Sequence, residues 1–123
     1  MTILEAITQL DSLKHNTYSQ ADKVRWLSAL DAMVTQDMIR THRGGEDARF
    51  RGYDENTPLD TLLLAPQPFD KMYVYWLQSQ VDYYNEEFDR YNHSMAMFTE
   101  CYRAFMAFYN RTYEPLGKAF RYF

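Results

Sequence analysis

The chain has little that breaks helices and almost nothing that cross-links. Its 123 residues hold one cysteine, four glycines and four prolines. A lone Cys101 excludes an intramolecular disulfide framework. No run approaches 18 uninterrupted apolar residues, so a membrane-spanning helix is not expected. The opening Met1-Thr2-Ile3-Leu4-Glu5 lacks the basic and apolar regions of a signal peptide, which points to a reducing cytoplasm as the starting place. Asn92-His93-Ser94 and Asn110-Arg111-Thr112 match the glycosylation pattern, and without an export signal both read as chance. Basic excess is missing too. Thirteen basic side chains face 17 acidic ones, for a formal charge of −4. The halves are alike, with 7 basic and 9 acidic in residues 1–58 against 6 and 8 in 59–123. Direct binding to a phosphate backbone therefore has no electrostatic support.

Sites of chemistry are missing in the same way. There is no Gly-rich phosphate loop, no nucleophile elbow and no Cys/His zinc spacing. Asp82, Glu86, Asp89 and His93 recur at helical intervals, but a metal site in a helix bundle needs Glu-x-x-His aimed inward, and that motif does not occur. These four read as a solvated face carrying a Glu86–Arg90 pair. His15 and His42 fall near helix ends, where they suit caps. Cys101 reads as a small core residue. No catalytic residue, metal or cofactor is expected, and an enzyme is the least favoured class.

What is abundant is aromatic surface. Tyr, Phe and Trp make up 17% of the chain, 11 of them Tyr. Tyr has an apolar body and a polar tip, so it suits surfaces that are buried in one state and wet in another. The breakers divide this material. Gly44, Gly45, Gly52, Pro58, Pro66 and Pro68 lie in the middle, and Pro115 and Gly117 near the end. Residues 1–43 and 69–114 contain none.

The pattern predicts an all-α single domain. Thr2 and Glu5 form a capping box that opens a helix over 3–13, with Ile3, Ile7 and Leu10 on one face. Ser19 is the next N-cap, and a second helix runs over 20–42 with Val24, Leu27, Leu30, Val34 and Met38 inward. Trp26 and Met33 flank that face. Gly44-Gly45 terminates it. Residues 43–68 form an irregular connection anchored by Leu59, Leu62, Leu63 and Leu64, with one helical turn near 59–64. A helical region over 69–113 and a tail over 114–123 complete the chain.

The C-terminal region carries the clearest periodicity. Val74, Leu77, Val81, Tyr84, Phe88, Tyr91, Met95, Phe98, Tyr102, Phe105 and Tyr109 alternate spacings of three and four without a break. A flanking stripe adds Phe69, Tyr73, Trp76, Tyr83, Met97, Cys101 and Phe108. A continuous helix over 70–112 spans roughly 65 Å. The alternative is a hairpin turning at Asn92-His93-Ser94. Because the heptad phase runs straight through 92–94, the continuous helix is the favoured reading.

Several stretches also resemble a known group of proteins. They are Thr2-Ile3-Leu4-Glu5-Ala6-Ile7, Asn16-Thr17-Tyr18-Ser19-Gln20, Gly52-Tyr53-Asp54-Glu55-Asn56-Thr57-Pro58-Leu59, Met72-Tyr73-Val74-Tyr75-Trp76-Leu77 and Tyr109-Asn110-Arg111-Thr112. Together they resemble small proteins of tailed phages and prophages of Gram-positive bacteria, encoded among the head and tail morphogenesis genes. The resemblance implies a virion structural or assembly role near the head–tail junction, as a connector-like part that forms homo-oligomers or rings and meets other phage head and tail proteins. It implies residence in the host cytoplasm during assembly and in the virion afterwards. The unbroken aromatic heptad departs from better-known connector proteins. On this reading the contact residues are Tyr84, Phe88, Tyr91, Phe98, Tyr102, Phe105 and Tyr109, with Tyr53 and Asp54 of the central loop as a second set. The competing reading is a small intracellular adaptor or regulator that binds one partner through the long helix.

Overall fold

Thr2 opens the fold. In the computed structural model, which describes residues 1–116, the Thr2 hydroxyl accepts from the Glu5 amide at 3.1 Å. The Glu5 carboxylate accepts in return from the Thr2 amide at 2.9 Å. This reciprocal cap starts helix α1, Ile3–Leu13, which buries Ile3, Ala6, Ile7 and Leu10. The remaining free amides at its start are met by the central segment: Ile3 N donates to the Thr61 carbonyl at 3.1 Å and Leu4 N to Leu59 at 3.0 Å. Leu63 N returns a bond to the Met1 carbonyl at 2.9 Å. The helical turn expected near 59–64 is therefore absent. Leu59 and Asp60 form a single turn closed by Thr61 N on the Pro58 carbonyl at 3.1 Å, and Leu62 bridges Thr2, which leaves the Leu59 and Thr61 carbonyls free to accept from α1.

Ser19 caps α2, Gln20–Val34, by accepting from the Asp22 amide at 3.1 Å. The regular helix ends earlier than residue 42. Thr35–Ile39 widen into one turn of π-helix, in which Arg40 N reaches the Thr35 carbonyl at 2.9 Å. Gly44 follows at a φ of 92°, a conformation that glycine adopts without a Cβ clash.

A single 3-10 turn, Phe69–Lys71, leads into α3, Met72–Tyr84, and then α4, Phe88–Thr112. The long continuous helix is thus corrected to a hairpin, and its turn lies at Asn85–Glu87, not at 92–94. Asn92-His93-Ser94 is inside α4. Ser94 of α4 meets Asp82 of α3, Phe98 meets Trp76, and Phe105 meets Phe69. Numbers rising on one helix pair with numbers falling on the other, so the two run antiparallel. The heptad seam is folded back upon itself: Val74, Leu77 and Val81 of α3 and Phe98, Tyr102 and Phe105 of α4 are all buried.

Magnitudes explain the turn. Burying six large apolar side chains favours the hairpin by on the order of 10 kcal/mol. The turn requires Glu86 to adopt a left-handed φ of 59°, which costs only about 1–2 kcal/mol. Tertiary anchors hold it. The Tyr18 hydroxyl donates to Asn85 at 2.7 Å, the Lys14 ammonium to Glu87 at 2.7 Å, and Glu87 N to the Asp82 carbonyl at 2.9 Å. Among the described residues there is no strand, only isolated bridges pairing Thr2 with Leu62 and His42 with Pro115. No helix there is long and apolar enough to cross a membrane.

Candidate functional site

The hairpin turn and the start of α2 meet at one end of the molecule, and their rings lie at its surface. Tyr83, Tyr84 and Phe88 are 50%, 56% and 55% exposed. Tyr84 stacks on Trp26 with centroids 5.7 Å apart and ring planes 11° from parallel, and Trp26 meets Tyr18 edge-on at 5.5 Å. Tyr83 joins Tyr84 at 5.3 Å, Tyr91 at 5.5 Å and Phe88 at 6.4 Å. The result is a continuous sheet of six rings spanning α2, α3 and α4. Trp26 is locked from below by the Trp76 indole, which donates to its carbonyl at 2.9 Å. Such contiguous apolar surface marks interaction sites.

Beside these rings lies a polar cleft of about 580 Å³ between the end of α1 and the turn, lined by Lys14, His15, Gln78, Asp82, Glu87 and His93 among others. The four-residue acidic face is corrected here. Asp82 is buried, not solvated. One of its oxygens accepts from the Ser94 hydroxyl at 2.8 Å, and the other faces the Lys14 ammonium as an ion pair without an aligned hydrogen bond. Burial works against the Lys14 charge, but the pairing with Asp82 and Glu87 outweighs it and raises its pKa. The Lys14 bond also lowers the pKa of Glu87. Arg90 pairs with Glu87 at 3.5 Å and not with Glu86. Glu86 and Asp89 stay exposed with no ion pair among the described residues. The Ser94 hydroxyl is committed as a donor to a carboxylate already matched by Lys14, an arrangement that fixes helices.

The residues singled out from the sequence separate into three groups. Tyr84, Phe88 and Tyr91 fall together in the surface cluster. Phe98, Tyr102 and Phe105 are 4%, 9% and 2% exposed and pack the α3–α4 seam, so no partner reaches them without opening the hairpin. Tyr109 is half-buried against the His42 ring at 4.7 Å. His42 is buried, with Nδ1 2.5 Å from the Met38 carbonyl and Nε2 2.7 Å from Asn110. Tyr53 faces inward, and Asp54 is exposed in the central loop, where its carboxylate accepts from the Asn56 amide at 2.8 Å. Tyr18, Trp26 and Tyr83 complete the surface cluster without having been singled out as contact residues. Tyr83 stood in the flanking stripe, but Tyr18 lies between helices, where no periodicity marks it.

Tyr53 belongs to a buried polar knot. Its hydroxyl donates to Asp31 at 2.5 Å, the Tyr73 hydroxyl donates to the same carboxylate at 2.6 Å, and Leu64 N adds a third bond at 3.1 Å. Tyr73 in turn accepts from Ala65 N at 2.8 Å. Burial raises the Asp31 pKa in spite of these donors, and raises both phenols as well. The knot fastens the 53–65 segment to α2 and α3. Its four hydrogen bonds tie three separate parts of the chain together.

Comparison with protein-family models, with curated proteins and with solved structures gives no match. Among the described residues no three His, Cys, Asp or Glu side chains converge in a manner that holds a metal ion.

Proposed function

We propose that this protein is a virion structural or assembly part of a bacterial virus, working at or near the head–tail junction through protein–protein contacts. The observation that carries the assembly reading is the six-ring surface at the hairpin turn, in which Tyr83, Tyr84 and Phe88 are half exposed. The viral setting rests on the resemblance of the Gly52–Leu59 block and the other quoted stretches to phage morphogenesis proteins. Within this reading the working face is Tyr18, Trp26, Tyr83, Tyr84, Phe88 and Tyr91, and Phe98, Tyr102 and Phe105 support it from the core. Tyr is suited to the task because it tolerates water before assembly and loses few rotamers when covered.

The test is mass spectrometry of purified particles from a strain that carries the gene, with Tyr84→Glu and Phe88→Glu introduced into it. Wild-type protein should be present at a few to a dozen or so copies per particle, and the doubly substituted protein, still folded, should be missing from particles. Protein abundant in the lysate but absent from wild-type particles would overturn the virion reading in favour of an adaptor.

A further inference from the structure

The aromatic surface has a charge sign, and the chain carries a segment that matches it. Residues 82–90 contain four carboxylates and a single cation, Arg90. Of these, Glu86 and Asp89 border the rings, exposed and without an ion pair among the described residues. Residues 117–123, Gly-Lys-Ala-Phe-Arg-Tyr-Phe, have the opposite make-up: two cations, three aromatics and no acid. Lys118 and Arg121 suit the carboxylates, and Phe120, Tyr122 and Phe123 suit the rings.

Geometry decides whose surface this segment can reach. The chain leading to it is strapped to the far end of the molecule: Arg43 N donates to the Glu114 carbonyl at 2.8 Å and Leu116 N to Thr41 at 2.7 Å. The aromatic surface is at the other end of α4, whose 25 residues span about 37 Å. Seven residues reach at most about 25 Å fully extended. A copy cannot cover its own rings with its own residues 117–123.

We propose that residues 117–123 of one copy dock on the Tyr83–Tyr84–Phe88 surface of a second copy. The inference rests on the reading of that surface as the assembly face, and it names the occupant. Each copy then donates one segment and receives one. Copies either exchange segments reciprocally as an antiparallel pair or continue head to tail, a heterologous contact that closes into a ring or extends as a filament. The contact combines base-to-acid matching, which steers encounter, with ring-on-ring burial, which slows release.

Two full-length variants test it by sedimentation velocity over a wide concentration range. One carries Lys118→Glu, Phe120→Ser and Arg121→Glu, and the other Tyr84→Glu and Phe88→Glu. Wild type should self-associate, more weakly as salt rises. Each variant alone should associate at least about 100-fold more weakly. Mixed in equal amounts, they should form a one-to-one heterodimer and stop, because one intact segment then meets one intact surface. If the tail variant associates like wild type while the ring variant does not, the surface stands as an assembly face but this occupant is wrong. Self-association of both variants overturns both claims. Monomeric wild type at all concentrations overturns docking between copies, and so does a mixture that stays monomeric.

Discussion

The phenol of Tyr73 on α3 donates to the carboxylate of Asp31 on α2 at 2.6 Å, across 42 positions of sequence and with both side chains fully enclosed. A carboxyl group has been drawn into the core and given three donors in place of water. The pKa of Asp31 is raised above its ordinary 3.8, chiefly by burial. A raised value means that the folded state holds the proton more tightly than the unfolded chain. The contribution of Asp31 to stability is therefore fully present below 3.8 and is lost as pH rises through the raised value. Asp31→Asn should remove this dependence. The stability advantage of wild type over Asp31→Asn, measured by urea unfolding, should be greater in mildly acidic than in mildly alkaline buffer. An advantage that grows with pH would contradict the assignment. Tyr73→Phe removes both the bond to Asp31 and the acceptor of Ala65 N and should cost about 2–4 kcal/mol.

The two aromatic populations should separate cleanly in a thermal melt. Phe105→Ala removes a ring that is 2% exposed and should cost about 3–5 kcal/mol, a fall in Tm of roughly 10 °C or more. Phe88→Ser acts on a ring that is 55% exposed and should change stability by no more than about 0.5 kcal/mol. Equal losses at the two positions would mean that the turn rings are covered within the monomer.

Much of the N-terminal half was readable because its signals are local. The Thr2–Glu5 box and the Ser19 cap act within four residues, and the start of each helix follows from them. A hairpin stood as the alternative to a continuous helix, but the place of its turn was not readable, for the opposite reason. Asn85-Glu86-Glu87 contains neither Gly nor Pro, and glutamate favours helix. Tyr84 and Phe88 flank the turn four positions apart, so the heptad count continues as though nothing happened. What bends the chain is remote: Tyr18 on Asn85, Lys14 on Glu87, and the apolar face of α3 awaiting α4. The same blindness applied to Asp82. Its place on the outer face of a straight helix becomes an interior place once α1 lies across it and Ser94 folds back to it. The surface cluster was half visible, through Tyr84, Phe88 and Tyr91, since periodicity marks rings but does not say which end of a seam stays uncovered.

Lys14 should be worth more than a surface cation. It stands between Asp82, which is 2% exposed, and Glu87. Lys14→Met leaves the Asp82 charge buried and unmatched and should cost about 3–5 kcal/mol. Lys14→Met with Asp82→Leu should recover most of that loss, because the apolar pair leaves no orphaned charge. Chemical denaturation of both single variants and the double variant measures the coupling, and strictly additive losses would show that the two groups do not interact. Since the pKa of Lys14 is raised above 10.5, its contribution is fully present below 10.5 and disappears as pH rises through the raised value.

Glu86 holds a φ of 59°, a conformation that disfavours side chains with a Cβ. Glu86→Gly should stabilise the protein by about 0.5–1 kcal/mol, and Glu86→Val should destabilise it by a similar amount. Thermal melts of the two variants should move in opposite directions from wild type. Shifts in the same direction would refute a left-handed residue at the turn.

The bond between Lys14 and Glu87 joins positions 73 apart, and this has a bearing on biosynthesis. While the chain emerges from the ribosome, α1 and α2 come first, yet the faces they bury are completed by α3, and the other face of α3 is sealed only by Phe98, Tyr102 and Phe105. Nothing before α4 closes the α3 seam, so partly made chains expose apolar helix faces until α4 has been made. The core is complete only once α4 has emerged, and a chain truncated within α4 is an aggregation hazard instead of a working fragment.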